Sequence, residues 1–328
     1  DMPIYVLACG VLLAGILQLL IQISPLLSIN RLPVPKLDIK NQGLRKFFKL
    51  ILPAILAGGI IQINLLIDTI FASLLETGSP TWLYVSDRLI QFPMGIFAIA
   101  IGTILLPTLS NIDLEREKNI FIENIKKGQK FVLFIGIPSL IGLFFCAEDL
   151  ISTIFYRGEF TELDVFKSSY SLMAFSIGLP FFMLMKVLTP TFFARKDTKT
   201  PMYVAFISLV LNAFFNYLLA FVFGFGHVGL AIGSSIAALI SVLILETILY
   251  KQGFIKITNI FNRFNFMILI SSSFLIVFLN FYTTKTNFIE FNQIERLFYL
   301  SIEILASIFI YFFIARIING KPLRTLLN

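Results

Sequence analysis

The sequence predicts an all-α, polytopic transmembrane bundle of about nine spans. Three observations predict it. Hydrophobic residues make up 57% of the 328 residues and charged residues only 14%, where a soluble domain carries about 25% charge. Apolar runs long enough to cross a hydrocarbon core of ~30 Å recur along the whole chain. Basic residues collect in every second connection, the alternation expected of a chain that threads back and forth through a membrane.

The nine apolar segments run over about 4–23, 47–75, 80–109, 130–155, 168–193, 201–222, 228–250, 264–283 and 297–315. Helix is the state each must take, because an isolated strand leaves its backbone groups unsatisfied in lipid. Pro53, Pro93, Pro138, Pro180 and Pro190 fall inside these segments and are expected as kinks within a packed bundle. Gly58, Gly59, Gly95 and Gly102 are expected as points of close helix contact. Cys9 and Cys146 lie in apolar runs and read as small core residues, neither a disulfide nor a metal site. His227 is the sole histidine, so zinc sites and histidine-based catalysis have nothing to build on.

The loops carry the orientation. Connections 24–49, 110–130, 194–200 and 251–263 and the tail 316–328 hold 20 of the 26 Lys and Arg residues, whereas 76–80, 156–167, 223–227 and 284–296 hold 4. That asymmetry predicts a cytoplasmic C-terminus and an outside N-terminus. The net charge of +7 then reflects loops facing anionic lipid rather than nucleic acid. Residues 1–3 enter the first span with no basic leader, and an odd span count begun from outside is expected of a chain cut from a longer one.

Polar groups inside the spans are the functional candidates. Arg88 and Asp87 lie roughly 12 Å below the outer surface at 1.5 Å per residue. As neighbours they point about 100° apart and cannot pair side by side, whereas Tyr84, Arg88 and Gln91 share one face. Two readings stand for Arg88: a guanidinium facing a cavity to grip an anionic group such as a diphosphate, or a tie to a carboxylate on a neighbouring helix. A second group is Asn64 with Asp68, and a third is the stripe Ser208, Asn212, Asn216. They read either as oxygen ligands for a hard cation such as sodium or as interhelical hydrogen bonding worth ~1 kcal/mol per contact. Lys186 either reaches the interface or faces a cavity. Glu246 reads as interfacial, and Glu303 as needing a partner or an interfacial place. The Gly-Thr in Ala100–Ser110 lacks the Gly-Lys-Ser/Thr ending of a phosphate loop.

Four stretches are distinctive: 67–79 (IDTIFASLLETGS), 82–95 (WLYVSDRLIQFPMG), 98–110 (AIAIGTILLPTLS) and 186–201 (KVLTPTFFARKDTKTP). Together they resemble the core of the MurJ/MviN family, over about residues 4–255, with the last two helices matching only in hydropathy. The resemblance implies a flippase of the multidrug/oligosaccharidyl-lipid/polysaccharide (MOP) exporter superfamily, in the bacterial cytoplasmic membrane. The expected cargo is lipid II, the undecaprenyl-diphosphate-linked peptidoglycan precursor. Family members have fourteen helices in two six-helix lobes plus an extra pair. By that comparison residues 1–44 are the last N-lobe helix and a cytoplasmic linker, 45–255 the C-lobe and 256–328 the extra pair. A missing N-terminal lobe, lipid II and membrane lipids are the expected partners, with no nucleic acid.

The resemblance assigns substrate binding to Arg88, with Asp87, Tyr84, Gln91 and Lys186 around it. Gln91 stands where some relatives carry Glu. No organic cofactor is implied. A sodium site maps onto Asp68, Asn212, Asn216 and Ser234, with Asn216 where the family's site has a carboxylate. Competing readings are an exporter of other lipid-linked sugars, a transport-dead scaffold of the cell-wall machinery, and an intramembrane enzyme. The last would need clustered carboxylates or a histidine nucleophile.

Overall fold

The computed structural model describes residues 2–28, 42–255, 263–283 and 288–319. Parts of four connections read above (29–41, 256–262, 284–287 and 320–328) lie outside the described residues. Among those described every regular element is helical. Eight helical segments are long and apolar enough to cross a membrane, and a shorter apolar stretch, Gly58–Ser73, lies where the second span was expected.

The chain forms two compact units, Asp1–Lys49 and Leu50–Asn328. The first holds helix α1 (Met2–Ser28) and the opening turns of α2 (Gln42–Ser73). Cys9, expected in a core, is exposed on α1. No residue of its apolar stretch Ala8–Ser28 is fully buried within the described chain, so an apolar neighbourhood in sequence does not by itself imply burial.

The second unit is built around α7 (Glu162–Ala194), which packs against α5 (Lys118–Phe145), α9 (Gly226–Lys251), α3 (Ser79–Pro93), α4 (Ala100–Ser110) and α6 (Ala147–Phe155). A capping box starts α7: Thr161 Oγ1 accepts from the Asp164 amide, and Asp164 accepts from the Thr161 amide, satisfying two otherwise orphaned donors. Asp164 also accepts from Trp82 Nε1 at 2.7 Å, which ties the start of α3 to the start of α7. Helix α8 (Lys199–Tyr217) packs on α9. Helices α10 (Arg263–Thr283) and α11 (Gln293–Asn319) pack on each other and reach α5 and α6. There Phe134, Tyr311 and Phe312 interlock, and the Tyr311 hydroxyl donates to the Phe134 carbonyl at 2.9 Å.

Two expectations are corrected. The span expected over 130–155 is two helices: α5 starts at Lys118, inside what was taken for a loop, and stops at Phe145. Cys146 leaves helical geometry (φ −92°, ψ 18°), and α6 follows with Glu148 and Asp149 in its first turn. Acidic side chains are favoured at that end of a helix dipole, so they mark a new helix start. Secondly, a Cβ on Gly58, Gly59 or Gly95 would meet nothing within 4 Å, whereas at Gly102 it would lie 2.8 Å from the Lys186 carbonyl oxygen. The closest backbone approaches elsewhere are at Gly229, against Ala220, and Gly233, against Asn216. Of the prolines placed inside spans, Pro93 precedes a π-helical turn, Met94–Ile99, and Pro138, Pro180 and Pro190 lie within helices that continue past them. The π turn is the form in which helices commonly absorb an inserted residue.

Candidate functional site

Helix α3 presents the first polar group. Arg88 Nη1 donates to Gln91 Oε1 at 3.2 Å, and its guanidinium lies 4.6 Å from the Tyr84 ring centroid. The Gln91 amide in turn donates to the Asp87 carboxylate. Spacings of three and four residues allow this, since such positions neighbour one another on a helix surface. Asp87 and Arg88, which cannot meet directly, are thus joined through Gln91. That relay carries no signal in a reading of pairs. The alternative tie of Arg88 to a carboxylate on another helix is not formed among the described residues: its bonded and stacked partners belong to α3. Tyr84 is 58% exposed, and Arg88 is exposed beside it, so the face opens outward from this unit.

A second polar group joins three helices. Asn216 Nδ2 donates to Asp68 Oδ1 at 2.6 Å and to Asn212 Oδ1 at 2.8 Å, and Asn212 Nδ2 donates to Ser234 Oγ at 2.9 Å. Asn64 Nδ2 donates to the other Asp68 oxygen at 3.2 Å. Asn216 is fully buried and Asn212 nearly so. Gly233 makes room, because a side chain there would collide with the Asn216 amide oxygen. Asp68 and Asp87 lie within electrostatic reach of each other, which brings the two polar groups into one neighbourhood.

The donor set passes a test for a hard monovalent cation. It offers one carboxylate, amide oxygens and a hydroxyl, and Asn216 Oδ1 is buried with no hydrogen-bond partner. The Asn216 NH₂ is engaged by both Asp68 and Asn212.

Lys186 is exposed on α7 and makes no hydrogen bond to either group among the described residues. Glu246 accepts from Gln129 at 3.0 Å, a partner on α5 that its sequence position did not suggest. The Arg195–Pro201 stretch is a built turn. Arg195 donates to Gln252 Oε1 at 2.6 Å and to the Thr191 carbonyl at 3.2 Å, and stacks on Phe192 and Phe254. Asp197 accepts from the Thr200 amide and hydroxyl. Burial draws the Arg195 pKa below its ordinary value, and Asp197 opposes that shift. Sequence reasoning set His227 aside, yet it packs against Trp82 at 4.9 Å between ring centroids and shares a hydrogen bond of 2.7 Å with Ser171. It is a packing residue holding α3, α7 and α9 together.

The architecture, with polar groups set within its apolar helices, is that of a polytopic helical membrane protein. Solved structures agree: an outward-facing multidrug resistance MATE family transporter of the MOP superfamily superposes with a TM-score of 0.56 at 15% identity, over 72% of this chain and 53% of its own. That match shows the fold alone. The sequence model described as lipid II flippase MurJ matches residues 1–299, and the chain belongs to that family. A probable lipid II flippase MurJ of Vibrio cholerae is 42% identical over 259 residues, 79% of this chain and 49% of the relative. One of Buchnera aphidicola (subsp. Schizaphis graminum) is 34% identical over 319 residues, 95% of this chain and 62% of the relative. A lipid II flippase MurJ in an inward closed conformation superposes with a TM-score of 0.69 at 26% identity, over 92% of this chain and 59% of that one. The similarity therefore runs beyond residue 255, where the motif resemblance stopped. The chain spans about half the length of the V. cholerae relative.

Proposed function

We propose that this chain supplies the C-terminal half of a lipid II flippase, and that the Tyr84–Arg88–Gln91 face of α3 grips the diphosphate of the lipid-linked precursor. The exposed guanidinium carries this reading. It is held by a ring and an amide rather than a carboxylate, so its charge is not cancelled by an ion pair. A guanidinium so placed can give two parallel hydrogen bonds to a phosphoryl group. Asp87, bound by Gln91, fixes the far end of the relay and keeps the fork from rotating. The headgroup then sits against α3 while the prenyl tail stays in lipid alongside α10 and α11, and Lys186 adds positive charge from α7.

Translocation proceeds by alternating access: the cationic site opens to one side of the membrane and then the other as two lobes rock. No bond is made or broken. The positive-inside rule supports a cytoplasmic side at the basic α4–α5 turn with the start of α5 (110–130) and at 194–200. Asp68, Asn212, Asn216 and Ser234 would hold a sodium ion, which would supply positive charge at the α2–α8–α9 junction. The family resemblance and the relatives' names support lipid II over other lipid-linked sugars.

The test is a chimaera in which this chain replaces the matching segment of a full-length relative, expressed in cells depleted of their own flippase. Outer-leaflet lipid II should return with the wild-type segment and fall away with Arg88→Ala at equal expression. An inserted chimaera that exposes no lipid II would overturn the substrate assignment.

A further inference from the structure

Glu303 lies on α11, beyond the residues matched by the family's sequence model. It is fully buried, and neither of its carboxylate oxygens has a hydrogen-bond partner at standard distances. The groups it faces are Cys146, at the α5–α6 break, and Asp149, in the first turn of α6. Asp149 is 6% exposed, and its Oδ2 is likewise without a partner. Two carboxyl groups from helices far apart in sequence therefore turn their unsatisfied oxygens toward one another in a dry place.

The groups packed around them do not neutralise the pair. Glu148, the neighbour of Asp149 on α6, is acidic, and Tyr282 of α10 faces both carboxyls as a phenol. Tyr299 of α11 stands beside Tyr282, whose hydroxyl donates to its carbonyl. Arg296 of α11 is the nearby cation, and each of its three nitrogens is engaged with a backbone carbonyl. Nε donates to the Phe288 carbonyl at 2.7 Å, Nη2 to that of Ile289 at 2.8 Å and Nη1 to that of Ser152 at 3.3 Å, while the guanidinium stacks on Tyr156. Seven residues separate it from Glu303, a rise of roughly 10 Å.

Two carboxylates cannot both stay ionised in contact without a cation or solvent. The two sites differ in how well they bear charge. Asp149 sits at a helix N-terminus, where the dipole favours an anion. Glu303 sits mid-helix and wholly buried, where an anion is most expensive. A hydrated metal ion has no room beside a side chain with no accessible surface, whereas a proton needs none.

We propose that Glu303 and Asp149 form a proton-binding carboxyl pair, with Glu303 as the neutral acid donating to the Asp149 carboxylate. The bound proton joins α11 to α6, so the seating of the α10–α11 hairpin is linked to it. Loss of the proton leaves two facing anions and drives the helices apart. This assignment is independent of what the protein transports.

Infrared spectroscopy of the whole chain in lipid bilayers tests it through the carbonyl stretch of a protonated carboxylic acid. The wild type should show that band at neutral pH. The double variant Asp149→Asn/Glu303→Gln should lose it, and each single variant should lose it or shift its titration to lower pH, because the second charge is gone. A neutral-pH spectrum without the band, or a band unchanged by the double variant, would overturn the pair. Selective ¹³C labelling of Glu and Asp carboxyls in the wild type gives the same readout without substitution, should a variant fail to insert.

Discussion

Arg88 and Asn216 show two ways in which a polar side chain is kept useful in a membrane. Arg88 is positioned by its own helix, through Tyr84 and Gln91, so its charge stays available to a ligand. Arg88→Lys in the chimaera keeps the charge and loses the planar fork. It should lower lipid II exposure about tenfold, the weight of one charge-assisted hydrogen bond at ~1.4 kcal/mol or more; unchanged exposure would mean that charge alone suffices. Asn216 instead spends its amide on Asp68 and Asn212. Asn216→Ala should leave two buried acceptors unpaired, at about 1–3 kcal/mol, visible as a lower midpoint of thermal unfolding in detergent. Asn216→Asp tests the cation reading. Two facing carboxylates should make thermal stability depend on sodium where the parent's depends on it less. These assemblies were partly legible. The i, i+4 spacing paired Asn64 with Asp68 and put Asn212 and Asn216 on one stripe, and Ser234 was reached through the family resemblance. The Asp87–Gln91–Arg88 relay was not, because a bridging amide looks the same in sequence as any polar residue.

At the scale of helices, association rests on close approach more than on hydropathy, since lipid tails are as apolar as the helix faces they compete with. Gly102 lies against the Lys186 carbonyl, while Gly142 meets open space. Gly102→Ala should therefore weaken the α4–α7 contact by about 1–3 kcal/mol. Gly142→Ala, in the last turn of α5, should be neutral or gain up to ~1 kcal/mol from helix propensity. Thermal unfolding of the two variants side by side checks the contrast, and equal effects would contradict it. Which glycines matter was not readable beforehand, because Gly58, Gly95 and Gly102 differ only in what another helix brings to them. The break at Cys146 was hidden in the same way: hydropathy runs unbroken across it, and its one sequence mark is the acidic pair Glu148 and Asp149 that opens α6. The Glu303–Asp149 pairing spans helices with no shared period, so no local pattern announces it.

For the whole molecule, composition and the alternation of basic connections carried the class, because a membrane-spanning chain must satisfy its backbone within each helix and its charges at the surface. The substrate is a property of a full-length assembly. This chain spans about half of the V. cholerae relative, and its arginine face opens outward from the unit that bears it. The central claim, that this face meets the diphosphate, is tested most directly by photo-crosslinking. A photoreactive amino acid at position 84 of the chimaera, illuminated in membranes containing lipid II, should give a lipid II adduct, and Arg88→Ala should diminish it. A chimaera that still exposes lipid II, yet gives no adduct from position 84 and is indifferent to Arg88→Ala, would contradict the account.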